Sequence, residues 1–571
     1  MSYLNIDAIK GNTYDAIVVG SGITGGWAAK ELTEKGLRVL MLEKGKNLEH
    51  VTGYENAMKD PWESKYNGRL TIEQKETHPK LARDYPYNEM TEKYWFNDSD
   101  SMYKEEKRFD WYRPNIVGGK SIMWGRQSYR WSDLDFEANL KDGHGSDWPI
   151  RYKDIAPWYS YVEKFVGISG EKLGLPQLPD SDFLPPMDMY CVEKEVRKRL
   201  EKNFPGRTMT IGRVANLSKA AQAQLGVGRT GCQYRNKCSL GCPYGAYFST
   251  QSSTLPACMK TGRLTLRPDS IVSEVLYDEN KKKATGVRVV DAVTMQTTEY
   301  YAKVVFLCAS TIASTALLLN STSNRFPNGF GNDSEQLGHN LMDHHFRIGA
   351  SGVWEGDEDK YYFGRRANGI YIPRYRNFGN DKRDYLRGFG YQGGGGRGGW
   401  QRNVAELSFG EEFKEKATTP GPWTIGFSGF GETLPYYENR MFLDKTAKDK
   451  WGLPIVVFDA ELKENEKKMR VDMMNDAKEM LEASGVKNVT TYDRGSYLGM
   501  AIHELGTARM GRDPKTSVLN AFNQVHACKN VFVTDGSCMA SASCVNPSLT
   551  YMALTARAAD HAVKELKKQS L

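Results

Sequence analysis

The chain has 571 residues and a mass of 64.4 kDa, about four domain-sized units by length alone, which excludes a small disulfide scaffold or a peptide-sized binding module. Hydrophobic residues make up 40% and charged residues 26%, enough apolar content for several cores and too much for a disordered chain. The net charge of +7 is spread without a basic block or an acidic tail, and apolar runs such as 304–309 fall far short of the ~18 residues of a spanning helix, so neither nucleic acid nor a membrane span is expected.

The N-terminal stretch MSYLNIDAIKGNTYDAIVVG lacks a basic segment leading into an apolar one with a cleavage site, so no secretory signal of its own is expected. Residues 16–19 read as a strand, 27–35 as a helix closed by Gly36, and 37–42 as a second buried strand ending in Glu43. Between the first strand and the helix stands Gly20-Ser21-Gly22-Ile23-Thr24-Gly25, a G-x-G-x-x-G turn with an acid about twenty residues beyond its first glycine. Gly20, Gly22 and Gly25 allow a tight turn and close approach of a pyrophosphate to the positive end of the helix, and Glu43 can accept hydrogen bonds from ribose hydroxyls. Spacing alone leaves open which dinucleotide binds.

Residues 50–110 are polar and aromatic with little periodicity, an excursion away from the sheet. RPNIVGGKSIMWG follows, with Gly118 and Gly119 suited to a second close backbone approach or to a plain structural turn. Strand signals at 264–266, 271–277, 286–290 and 303–307 lead into a helix over 311–319 and predict a meander returning to the dinucleotide domain. The stretch 350–500 reads as mixed and loop-rich, and its run Gly393 to Gly396 with Gly398 and Gly399 reads as a flexible surface loop, with a substrate lid as the alternative. Residues 531–533 form a strand ending at Asp535-Gly536, and 548–568 form a long amphipathic helix. No internal repeat is present, so the dinucleotide domain is discontinuous.

Nine cysteines are too few for a disulfide framework, but Cys232, Cys238 and Cys242 crowd into GCQYRNKCSLGCPYG, the last followed by proline as in ferredoxin-type segments. Three thiolates suit a [3Fe-4S] cluster better than tetrahedral zinc; Cys258 as a fourth ligand would allow [4Fe-4S], and three free thiols are the plain alternative.

The glycine fingerprint, the VGG segment, VFLCASTIASTALLLNS, QLGHNLMDHH, and His503 with Asn546 in SASCVNPSLTYMALTARAAD together resemble, in order, the motifs of the glucose-methanol-choline flavoprotein oxidoreductases. The resemblance implies an α/β fold: a Rossmann-like FAD-binding domain at 1–50, 111–134, 261–345 and 500–571, and a discontinuous α+β substrate-binding domain at 51–110, 135–260 and 346–499 that carries the cysteine cluster at 231–245. It implies FAD held by Gly20, Gly22, Gly25, Glu43, Gly118, Gly119, Ser121, Val272, Asp535, Asn546 and Pro547. It also implies His503 as the base that takes the hydroxyl proton, with Asn546, 43 residues later, orienting the hydroxyl. Some relatives attach the flavin to a histidine after the VGG segment; here that place holds Met123, so FAD should be non-covalent.

The cysteine segment is similar to that of bacterial multi-subunit sugar dehydrogenases. That likeness implies a [3Fe-4S] cluster at Cys232, Cys238 and Cys242, a small subunit carrying an export signal, a c-type cytochrome acceptor, and a periplasmic location by co-export, with the cytoplasm as the alternative. The GGWAAKELTEKGL helix and VGGKSIMWG look most like glucoside 3-dehydrogenases, with gluconate 2-dehydrogenase or another polyol dehydrogenase next. A FAD-containing lyase without net redox and an inactive nucleotide-binding scaffold are the readings from other classes. The cysteine cluster speaks against the lyase, and His503 with Asn546 against the scaffold.

Overall fold

The computed structural model describes residues 11–362, 364, 366–398 and 409–571. Strand β1 (Thr13–Val19) carries the fully buried run Ala16, Ile17 and Val18 because it lies between two parallel neighbours and is covered on both faces. Helix α1 (Ile23–Glu34) follows, its first turn already built from the glycine segment. It stops where Gly36 takes a left-handed conformation (φ 95°) and Leu37 N–H donates to the Leu32 carbonyl, a Schellman-type end. Strand β2 (Val39–Leu42) then pairs in parallel with β1.

These strands sit in an eight-stranded sheet whose main path runs Gln524–Val525, Cys528–Val533, Thr297–Leu307, β1, β2, Leu264–Arg267. The hairpin of Ser270–Asp278 and Lys283–Asp291 joins it along the first half of Thr297–Leu307. The C-terminal helix Ser548–Lys567 packs against α1 and helix Tyr152–Val166. Each strand and helix expected in this part of the chain is present, with ends displaced by up to six residues, the largest at Thr297–Leu307, whose strand signal covers only 303–307.

The stretch 350–500 departs from expectation. It supplies most of a six-stranded antiparallel sheet in the order Lys487–Asp493, His344–Trp354, Trp423–Glu432, Phe389–Arg397, Ile370–Ile372, Thr210–Ile211. Helices Cys191–Asn203 and Glu464–Ala483 cover one face, burying Val192, Val196, Met469, Met473 and Met480. Gly393 to Gly396 are therefore in a strand, neither a surface loop nor a lid: Gly393 pairs with Phe427 and Gly396 with Thr424. Helix Cys191–Asn203 approaches so closely that a Cβ on Gly395 would stand 2.4 Å from Val192 Cγ1, and the Gly395 N–H donates to Glu193 at 2.7 Å. Gly399 lies outside the described residues. A three-stranded sheet of Arg440–Lys448, Pro454–Asp459 and Tyr103–Glu105 completes the architecture.

Candidate active site

The C-terminal ends of β1 and β2 open into a cavity of about 600 Å³, closed on the far side by Gln392, Ser428 and Phe430 of the six-stranded sheet. This is the crevice at the carboxyl ends of parallel strands where open α/β sheets bind ligands. Gly20, Gly22, Glu43, Gly119, Ser121, Val272, Asp535, His503 and Asn546 all line it. Gly25, Gly118 and Pro547 stand behind the wall. A Cβ on Gly25 would lie 1.9 Å from the Gly20 carbonyl oxygen, so this glycine lets α1 close onto β1. Pro547 caps the start of the C-terminal helix.

Gly22 fits a phosphate cradle. No atom lies within 4 Å of where its Cβ would be, although the turn around it is tightly packed, and α1 begins there with no side-chain cap and no acid in its first turn. The backbone N–H groups and the positive end of the helix are thus free for an anion. The neighbouring turn is tied to it through Ser21, whose hydroxyl accepts from Gly118 N–H at 2.8 Å and donates to Glu43 at 2.6 Å. Ser121 adds a second tie, donating to the Gly118 carbonyl and accepting from Thr250 N–H. Glu43 also accepts from the N–H groups of Ser21 and Gly45, so it organises the turn and leaves about one of its roughly four acceptor sites for a ribose hydroxyl. Burial pushes its carboxyl above the usual range. Asp535 accepts from Ser314 and Ser537, and Val272 presents an apolar edge from the hairpin.

His503 enters the cavity from the segment 501–503. The carboxylate of Asp343 accepts from the N–H groups of Ala501 (3.1 Å) and His503 (3.0 Å). This brace holds Ile502 between them at φ 65°, a left-handed conformation that costs a β-branched residue of order 1–3 kcal/mol. Burial pushes the Asp343 carboxyl up to about 7, with Glu504 adding to the rise. The half-buried imidazole of His503 is held well below its ordinary value, first by desolvation, then by His344 and Lys120. It is therefore neutral at physiological pH and able to accept a proton. Asn546, almost fully buried, accepts at Oδ1 from Gln392 Nε2 (2.8 Å), and Lys120 pairs with Glu504 beside the histidine (2.8 Å).

Sequence reasoning missed His344, Gln392 and the Lys120–Glu504 pair. His344 stood in view within QLGHNLMDHH; Gln392 was hidden beside the glycine run taken for a loop.

Cys232, Cys238 and Cys242 are half-buried, unpaired thiols on one loop. Burial pushes the Cys232 thiol up, and Cys238 and Cys242 lie near enough to add to the rise. One tetrahedral zinc would draw its sulfurs to about 3.8 Å from each other. Among the described residues the group whose ligand atoms all lie within 4.8 Å is instead Asp343, His344 and His503, so the thiols do not converge on a single ion. Cys258, the alternative fourth ligand, is fully buried in helix Leu255–Lys260 and packed with Ala28, Ala29 and Leu32 of α1. Its thiol is pushed up to about 12 by burial. Cys238 lines a second cavity of about 410 Å³ that shares Tyr85, Met123, Trp124, Gly125, Arg126, Asn368 and Gly393 with the first.

Two stretches of the chain, residues 14–346 and 435–555, match the N- and C-terminal descriptions of the GMC oxidoreductases. The chain belongs to the GMC oxidoreductase family. It is 28% identical to 2-methyl-1,2-propanediol dehydrogenase of Mycolicibacterium austroafricanum over 96% of this chain and 94% of the relative. It is 26% identical to the fructose dehydrogenase large subunit of Gluconobacter japonicus over 97% and 98%. Pyridoxine 4-oxidase from Mesorbium loti shares the fold with a TM-score of 0.59 at 16% identity, covering 96% of this chain and 98% of that one. Membership of this family makes the protein an FAD-dependent oxidoreductase of alcohol or sugar substrates. Among the described residues no helix is long and apolar enough to cross a membrane.

Proposed function

We propose that this GMC oxidoreductase is a dehydrogenase that oxidises a secondary hydroxyl of a sugar or glycoside to the ketone, with C3 of a glucoside as the favoured position. The observation that carries the reading is the meeting of His503 and Asn546 in the cavity lined by the glycine turn. The neutral imidazole of His503 takes the hydroxyl proton, and Asn546, its amide fixed by Gln392, aligns the hydroxyl toward it. When bound, FAD supplies the acceptor for the hydride that leaves the same carbon. The turn at Gly20 and Gly22 with the start of α1 would hold its pyrophosphate, and the thioether of Met123 leaves it unlinked to the chain.

Cys232, Cys238 and Cys242 would hold a [3Fe-4S] cluster, whose ligands stand further apart than those of one ion because each binds a different iron. When bound, such a cluster supplies a one-electron exit to a c-type cytochrome. The nearness of Cys238 to the main cavity supports that role. A small subunit that carries an export signal, with the complex in the periplasm, completes the proposal; likeness to a protein named as a large subunit supports the partner.

Anaerobic mixing of the holoenzyme with methyl glucoside, D-gluconate or D-fructose tests the reading. Methyl glucoside should bleach the flavin absorbance fastest. Bleaching by gluconate or fructose alone would move the substrate assignment, and silence with all three would remove the sugar-dehydrogenase reading.

A further inference from the structure

His344 opens strand His344–Trp354 and is fully buried, yet neither the glycine turn nor the proposed base accounts for a histidine there. Its Nδ1 lies 3.2 Å from Nδ1 of His503, with the rings nearly perpendicular (83°) and their centroids 5.0 Å apart. Phe430 clamps both rings, stacking on His344 at 4.7 Å and meeting His503 edge-on at 5.6 Å.

Two nitrogens at this distance share one proton. If both carried it they would repel, and if neither did, two lone pairs would face each other. Desolvation pushes His344 down to about 3, so a charged partner does not resolve the conflict at neutral pH. The pair must therefore be two neutral imidazoles of opposite tautomer. The Ser543 backbone carbonyl faces the His344 ring and favours a proton on it; with Nδ1 taken by His503, the nitrogen left for that carbonyl is Nε2. Nε2 makes no hydrogen bond of normal geometry among the described residues, so the Ser543 carbonyl is a neighbour that favours the proton there and not a full partner.

We propose that His344 is the positioning residue that sets the tautomer of the base: it is protonated at Nε2 and accepts at Nδ1 from Nδ1–H of His503, which leaves the lone pair of His503 Nε2 for the cavity. This rests on His503 being the base. The substrate O–H bond breaks, an Nε2–H bond forms on His503, and the resulting imidazolium donates a stronger, charge-assisted bond to the still neutral His344. Other charged groups around the pair are already engaged: Asp343 with two backbone N–H groups, Lys120 with Glu504, and Arg470 with Asp493 and the Phe346 carbonyl.

The test compares His344→Leu, which removes the acceptor, His344→Asn, whose Oδ1 restores one, His503→Ala, and the His344→Leu/His503→Ala double variant. All are read as FAD-loaded protein with the panel sugar that bleaches the wild-type flavin fastest. Selective ¹⁵N-histidine labelling, with the His503 signals assigned by their loss in His503→Ala, reports the tautomer directly.

Wild type should show His503 protonated at Nδ1. His344→Leu should lose that signature and reduce flavin about 10- to 100-fold more slowly at unchanged KM, the scale seen when metal-bound histidines lose an orienting partner. His344→Asn should recover most of the rate, and the double variant should be no slower than His503→Ala alone. A His503 proton on Nε2, a wild-type rate in His344→Leu, or equal damage from Leu and Asn would overturn the proposal. A wild-type rate in His503→Ala would remove the base reading and this proposal together, whereas its collapse beside an unaffected His344→Leu would remove this proposal alone.

Discussion

At the scale of single residues, burial decides what His503 can do. Its value in the folded chain lies well below the ordinary ~6.5, so between those two values the native imidazole stays neutral while the unfolded one binds a proton. Two outcomes follow with definite signs. Flavin reduction by sugar, measured by anaerobic stopped flow, should stay flat between pH 6 and pH 5, below the range in which Asp343 changes its protonation; a loss of roughly tenfold across that unit, as an ordinary imidazole would give, would contradict a desolvated base. Stability should fall as the pH drops below 6.5, because the unfolded chain takes up protons that His344 and His503 refuse in the fold. Asp343 acts in the opposite sense, since its raised carboxyl keeps a proton up to about 7 and weakens the fold as the pH rises toward that value. Thermal melts at pH 7 and pH 5 isolate the histidine contribution: His344→Leu should lose less on acidification than wild type. Replacing His503 by alanine should leave FAD bound and slow flavin reduction about 10²- to 10⁴-fold, the usual worth of a positioned base. Asn546→Ala should cost less, because it removes alignment and leaves the proton acceptor in place. A larger loss in Asn546→Ala would reverse those roles, and equal losses would deny the difference between them.

Among the elements, the turn between β1 and α1 separates two duties of glycine that the motif alone runs together. Gly25→Ala would drive a Cβ to 1.9 Å from the Gly20 carbonyl, so it should destabilise even the FAD-free chain by about 1–3 kcal/mol as the helix is pushed off its strand. Gly22→Ala meets no atom within 4 Å and should shift apoprotein stability by no more than about 1 kcal/mol, yet weaken FAD binding several-fold by filling the cradle. Melts of apoprotein beside flavin titration read both, and a Gly22→Ala variant that binds FAD normally would move the pyrophosphate away from this turn. This unit was legible in the sequence because strand, turn, helix and strand are consecutive and each carries its own local signal. The antiparallel sheet was not. Strand Phe389–Arg397 is rich in glycine, which has little intrinsic preference for a strand, and it is a strand because helix Cys191–Asn203 needs its backbone close. The His344–His503 pair was equally hidden, since residues 159 positions apart meet only after the two sheets close on each other.

For the molecule as a whole, the proposed base lines one cavity and Cys238 lines another that shares part of its wall, so the two can be tested apart. Cys238 stands at the edge of the second cavity, Cys232 and Cys242 belong to the same loop, and Cys258, buried in another helix, cannot join them without unpacking α1. Holoenzyme purified without oxygen should accordingly hold about three iron atoms per chain, not four. Cys238→Ser should lose that iron, and the associated paramagnetic signal, while sugar still bleaches the flavin in a single turnover, because His503, Asn546 and the glycine turn are untouched. Steady reduction of a cytochrome c should collapse in this variant, whereas a small dye that reaches the main cavity should still be reduced. His503→Ala should give the reverse pattern, with iron retained and bleaching lost. One equivalent of zinc, or no metal at all, would overturn the cluster assignment. Loss of bleaching in Cys238→Ser with FAD still bound would show instead that the loop shapes the sugar site.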